Sequence, residues 1–135
     1  KPLTLARHTV VFQCRWSKIT GIDDPFLQGF FLGGLFNLSG LRPNQLYGKD
    51  LAFAEMIYYY NVLKLPSALG KTLYLGASCE AGNILTDEIR IHRKDLIYAG
   101  SIFVAAESII GPIYFGAGHT DQGDNAVYLY VGKFY

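Results

Sequence analysis

NAVYLYVGKFY, residues Asn125 to Tyr135, alternates without a break. Val127, Leu129, Val131, Lys133 and Tyr135 fall on one side, and Tyr128, Tyr130, Gly132 and Phe134 on the other. Side chains of a strand alternate faces with period two, so the stretch reads as a strand. It closes on aromatic residues and carries no acidic group, which a water-soluble sheet seldom tolerates on an open terminal strand.

Working back from that stretch, the same alternation recurs with turn signals between. His8 to Ile19 sets Val10, Phe12, Cys14 and Trp16 against Val11, Gln13, Arg15 and Ser17. Asp50 to Asn61 sets Ala52, Ala54, Met56, Tyr58 and Tyr60 against Leu51, Phe53, Glu55, Ile57 and Tyr59. Thr72 to Asn83 sets Leu73, Leu75, Ala77, Cys79 and Ala81 against Tyr74, Gly76, Ser78 and Glu80. Leu96 to Ser108 and Gly111 to His119 complete six strand-like segments. A mean globular strand has about 5 or 6 residues, whereas a tilted membrane strand needs about 9 to 11. The segments have the longer length. One face is apolar and the other admits Glu, Gln and Arg, the pattern of a strand between lipid and a wet interior. The expected fold class is therefore all-β: an antiparallel, up-and-down transmembrane β-barrel portion occupying residues 1–135, with no second domain.

Composition agrees. Of the 135 residues 50% are hydrophobic, 17% are charged, and the formal net charge is +1. Soluble domains carry about 25% charged residues. Aromatic residues make up 15%, with ten Tyr against one Trp, and tyrosine suits the girdles where lipid meets water. The near-neutral balance offers no basic stripe for nucleic acid. No window reaches the 18 or so apolar residues of a membrane helix. Lys1 to Arg7 lacks the apolar core of a signal peptide, and the chain starts without Met. Both features fit a piece of a longer precursor whose targeting segment lies upstream. Cys14 and Cys79 have no metal spacing and read as two lipid-facing or packed thiols on strands that are not neighbours.

The connections differ in kind. Leu65-Pro66 to Gly70, Gly111-Pro112 and Asp121 to Asn125 read as tight turns. Leu85 to Lys94 is charged and fits an outer loop with a short helix. Thr20 to Gly48 is long, glycine-rich and apolar, and loops of that length in compact folds are usually functional or disordered; apolar content argues against disorder. Backbone groups facing lipid must all be paired, so a membrane sheet has to close, and barrels start at about eight strands. Six strands need partners: upstream strands of a parent barrel or other copies of the chain.

At Phe31-Leu32-Gly33-Gly34 and Leu38-Ser39-Gly40-Leu41-Arg42-Pro43-Asn44-Gln45-Leu46-Tyr47-Gly48 the chain resembles the sixth extracellular loop of the Omp85 (bacterial surface antigen) superfamily, with Pro43 where glycine is usual. The LSG-x-RP-x-x-L-x-G form is most similar to the C-terminal β-barrel of bacterial patatin-like phospholipases, which are type V autotransporters with a sixteen-stranded barrel. Ala54-Glu55 with Tyr58-Tyr59-Tyr60 resembles the family's twelfth strand, and Leu75 to Asn83 the thirteenth. Ala99-Gly100-Ser101, Gly111 to Gly116 and Val131-Gly132-Lys133 resemble the last three. The resemblance spans residues 8 to 135 in order.

It implies an outer-membrane anchor or translocator. The loop of about 20–48 would fold into the lumen and Arg42 would be locked there by Glu55 and Glu80. Leu129, Val131, Gly132, Phe134 and Tyr135 would form the insertion signal read by the barrel assembly machinery. The implied surroundings are outer-membrane lipids and the bacterial outer membrane. The alternative within the superfamily is the barrel end of an Omp85 assembly or translocation factor. A different class, a soluble lipid-binding β-barrel, predicts an apolar interior and a polar exterior.

No cofactor, metal or catalytic residue is expected in this chain. Gly76-Ala77-Ser78-Cys79-Glu80 falls one glycine short of the GxSxG elbow and lacks its strand-to-helix turn; the DG[AG] partner motif of patatin lipases is absent. Lipid hydrolysis would belong to a part of the parent enzyme not in this sequence. His8, His92 and His119 have no ligand spacing, and His119 near Asp121 reads as a rim pair. Gly33-Gly34 lacks the Lys-Ser/Thr and helix of a phosphate cradle.

Overall fold

The computed structural model describes residues 2–19, 29–64, 72–85, 96–108 and 111–132. Among them the chain is all-β and antiparallel, with no helix. Seven strands form one sheet in the order β1 (Pro2–Leu5), β2 (His8–Lys18), β5 (Asp50–Lys64), β6 (Thr72–Leu85), β7 (Ile97–Ser108), β8 (Gly111–Thr120) and β9 (Asn125–Val131). Between β2 and β5 the chain makes a separate hairpin of β3 (Phe30–Leu32) and β4 (Leu46–Gly48). The main sheet is a meander, and it is open: β1 and β9 are its edges and do not pair with each other.

Strand lengths of 11, 15, 14, 12 and 10 residues for β2, β5, β6, β7 and β8 exceed what a small globular sheet needs. The register follows the side-chain alternation. Gln13, Glu55, Glu80, Ala99 and Thr120 stand in one cross-strand row, and Val11, Ile57, Ser78, Ser101 and Gly118 in the next. A slip of one residue would turn every one of them to the opposite face. Three strands are not among those expected: β3 and β4, inside the stretch read as a loop, and β1, reached through a turn in which Ala6 takes φ 55°, a conformation its sequence does not announce.

The two faces differ sharply. On the outer face Phe12, Trp16, Leu75, Ile102, Phe115, Val127 and Leu129 stand exposed, at 52–76% of their full area. The inner face is covered by the segment 29–48. Its Leu32, Leu38 and Leu41 pack on Leu51, Phe53 and Ile97; its Leu35 and Phe36 pack on Ile57, Phe103, Ala105 and Tyr128. The most enclosed side chains are Leu32, Leu38, Leu41, Thr120 and Ser39, so four of the five belong to the connection between β2 and β5, not to the sheet. Burying each leucine contributes roughly 1.5–3 kcal/mol, enough to make this connection the core of the fold.

Cys14 and Cys79 are free and exposed on the outer face; β5 separates their strands. The polar segment Leu85 to Lys94, the turn at Leu65 to Gly70 and the start of the long connection, 20–28, lie wholly or largely outside the described residues, as do His92, Lys133, Phe134 and Tyr135.

Candidate functional site: the loop seat on the inner face

The loop between β3 and β4 turns back on itself before it touches the sheet. Gly33 N–H donates to the Asn37 carbonyl at 2.7 Å, Asn37 N–H to the Gly34 carbonyl at 3.0 Å, and Leu41 N–H to the Leu38 carbonyl at 3.2 Å. Phe36 and Leu38 take φ values of 61° and 66°, which cost bulky side chains energy and persist only where the surroundings hold them. What holds them is the seat described next.

Glu80, on the inner face of β6, is 3% exposed. Its Oε2 accepts the Ser39 N–H at 2.6 Å. Its Oε1 accepts the Ser39 hydroxyl at 2.6 Å and the Ser78 hydroxyl at 2.5 Å. The Ser78 proton is thereby committed, so in the 2.6 Å contact between Ser78 and Ser101 hydroxyls Ser101 is the donor. A directed chain runs from Ser101 on β7 through Ser78 to Glu80 and ends on the loop. Bonds from neutral donors to a carboxylate are roughly twice as strong as neutral pairs, and they satisfy a buried charge without a cation.

One residue along the loop, Gly40 N–H donates to the Tyr128 hydroxyl at 2.7 Å, and that hydroxyl donates to the Leu41 carbonyl at 2.6 Å. Tyr128 lies on β9, far from Glu80 in sequence. The two clamps meet over β8, where the loop passes so close that a Cβ on Gly118 would stand 2.5 Å from the Ser39 Cβ and 2.7 Å from the Gly40 nitrogen. Gly40 itself has φ 112°, a region open to glycine and closed to other residues.

A third contact comes from β2. The Arg15 guanidinium donates to the Asn37 Oδ1 and lies 4.5 Å from the centroid of the Phe53 ring, a cation–π stack. Glu55, directly opposite Glu80 in the register, is 9% exposed and its Oε2 has no hydrogen-bond partner.

Set against the sequence, the seat uses some expected residues and replaces another. Glu55 and Glu80 share the inner face and the loop reaches it. Arg42 does not meet them. Its side chain is exposed, it forms no ion pair among the described residues, and its own N–H donates to the Gln45 side chain at 2.8 Å. The physical reason is the turn at Asn37 to Leu41: it presents Ser39, not Arg42, to the carboxylate. Arg15 is the cation on the inner face. Of the residues expected to signal insertion, Leu129 and Val131 stand exposed on the outer face and Gly132 follows the strand with φ 120°; Phe134 and Tyr135 lie outside the described residues.

Ser39, Ser101, Tyr128 and Arg15 were not singled out from sequence, and Ser78 was weighed there only as a nucleophile. Period two does place Ser78 and Ser101 on the face of Glu80, and Tyr128 on the inner face of the last strand. His119 pairs with Asn125 at 2.9 Å, not with Asp121, whose carboxylate accepts the Tyr98 N–H at 3.2 Å. No group of metal-ligating side chains occurs among the described residues. The chain matches no family model, no curated protein and no solved structure.

Proposed function

We propose that this chain is part of a bacterial outer-membrane β-barrel, the anchor or translocator of a patatin-like phospholipase, with the loop 29–48 strapped inside the lumen. The observation that carries the reading is the inversion of the sheet. Its uncovered face is built from Phe12, Trp16, Leu75, Ile102, Phe115, Val127 and Leu129, while its enclosed face carries Glu55, Ser78, Glu80, Ser101 and Thr120. Water-soluble monomers rarely expose contiguous apolar patches beyond a few hundred Å², and a soluble lipid-binding barrel would have its apolar side within. Lipid against the outer face, and an interior in which the loop covers both the apolar core and these polar groups, account for both sides at once.

The open edges fit the same reading. The unpaired backbone of β1 and β9 cannot face hydrocarbon, so further strands of a parent barrel must flank both. The loop then works as an internal strap. By taking Ser39 onto Glu80 and Gly40 with Leu41 onto Tyr128, it ties β6 to β9 across the interior and fixes the curvature of the wall. Resemblance in the motif around Leu38 to Gly48 supports the phospholipase barrel over an Omp85 assembly factor.

The test is cell fractionation of the parent protein, with electrophoresis of unboiled and boiled samples. Sedimentation with the outer membrane, extraction only by detergent and faster migration before boiling are expected. Release by buffer alone and a single mobility would overturn the proposal.

A further inference from the structure

The loop does not fill the inner face. Between its tip and the strands remains a cavity of about 700 Å³, walled by Arg15 and Glu55 on one side, by Phe36 of the loop, and by Tyr59, Tyr114 and Tyr130. Volumes of this size suit a small molecule. The Glu80 carboxylate, opposite Glu55 in the register, is fully engaged by the loop and by Ser78. Glu55 is not. It is nine-tenths buried, its Oε2 lacks any hydrogen-bond partner, and no ion pair reaches it among the described residues.

The charge count sharpens the point. Two carboxylates stand directly opposite each other on neighbouring strands, and among the described residues Arg15 is the cation that lines the cavity with Glu55. Arg15 donates to Asn37 and stacks on Phe53, and its Nε, like Glu55 Oε2, has no hydrogen-bond partner. One cation stands beside two carboxyl groups, so ionising Glu55 is costly unless a second cation joins it. The groups around it are aromatic. Ring faces attract cations, and Tyr59 packs edge-on to Phe103 and Tyr74, so its ring is held in place.

We propose that this cavity is a binding site for an organic ammonium ion, whose N–H groups donate to Glu55 and whose charge rests against the tyrosine wall. A carboxyl group with an unpaired oxygen, one cation for two such groups and aromatic walls select an alkylammonium group over an anion or a neutral polyol. A free amine and the ethanolamine headgroup of a lipid both carry that group. The site does not depend on the lipid-facing assignment of the outer face, because every residue in it lies on the inner face.

The experiment is titration calorimetry on the purified parent protein in a zwitterion-free, non-ionic detergent. Ethanolamine and spermidine are the free-amine probes, phosphatidylethanolamine in mixed micelles is the lipid probe, and glycerol is the neutral control. Saturable binding of an amine probe is expected, weakened roughly tenfold or more by Glu55→Gln, the loss of one charge-assisted bond. Val11→Phe, which fills the cavity from its wall, should abolish binding, while Arg42→Ala should leave it unchanged. Binding of free amines assigns the site to soluble ligands; binding of the lipid alone assigns it to the headgroup. Absence of saturable binding by any amine probe, equal binding of glycerol, or full affinity in Glu55→Gln would each overturn the proposal. Protection of the loop from protease reports that each variant is folded.

Discussion

On β6, Leu75 is 52% exposed and Cys79 also stands uncovered, while Ser78 and Glu80, each next to Cys79 in the chain, are 3% exposed. The same contrast runs across β7, where Ile102 is 69% exposed and Ser101 7%. In a water-soluble sheet the assignment would be reversed, since burying a charge is expensive and burying Leu or Ile is favourable. Glu80 escapes that cost because both its oxygens have donors, whereas Glu55 beside it keeps an unpaired Oε2. The outer face would gain nothing from water. The difference teaches that, on the proposed reading, the two sides of one strand meet different surroundings, and that the loop supplies the buried polar groups with partners.

The largest way to break the contrast is Glu80→Ala. Ser39 N–H and the hydroxyls of Ser39 and Ser78 would lose their acceptor. At about 1–3 kcal/mol for each buried group left unsatisfied, the seat should weaken by about 4 kcal/mol. Hydrogen exchange at the Ser39 and Gly40 amides should accelerate by about two to three orders of magnitude, as local opening is brought closer. Unchanged protection of Ser39 would mean that apolar packing alone holds the loop.

Next in size is Ile102→Arg on the outer face. Against lipid the change should destabilise the folded barrel by about 2–4 kcal/mol, read as a lower urea midpoint in lipid vesicles. Against water the same exposed substitution would shift stability by less than about 0.5 kcal/mol. Tyr128→Phe comes third. It removes the acceptor of the Gly40 N–H and the donor to the Leu41 carbonyl, for about 2 kcal/mol. Its effect should be confined to exchange at Gly40 and its neighbours, leaving the Ser39 amide on Glu80 protected. The smallest change is Arg42→Ala, worth less than about 0.5 kcal/mol because the side chain is exposed. A loss comparable to that of Glu80→Ala would restore Arg42 as the residue that secures the loop.

Much of the architecture was readable because period-two alternation is a strong signal over long segments. His8 to Lys18, Asp50 to Lys64, Thr72 to Leu85 and Gly111 to Thr120 begin where the pattern of apolar and polar residues begins. The inward placement of Glu55 and Glu80 followed from the same count. β1 escaped notice because four residues are too few to show a period and because its turn uses Ala6 in place of glycine or asparagine. The seat escaped for a different reason. Which loop residue meets Glu80 depends on the backbone path through Phe36 and Leu38, both at positive φ, and no pattern in LFNLSGLRP encodes those angles. The resemblance, together with opposite charge, favoured Arg42. The structure satisfies the carboxylate with one backbone N–H and two hydroxyls instead, a solution invisible to a search for opposite charges.

The central claim is that the face bearing Leu75, Ile102 and Leu129 meets hydrocarbon. Cys79 sits within that face and supplies its own reporter once Cys14 is replaced by Ser. A fluorophore on Cys79 of the parent protein, reconstituted in vesicles, should be quenched by spin labels on lipid acyl chains and shielded from iodide. Quenching by iodide with no response to the acyl-chain labels would place the face in water and contradict the account.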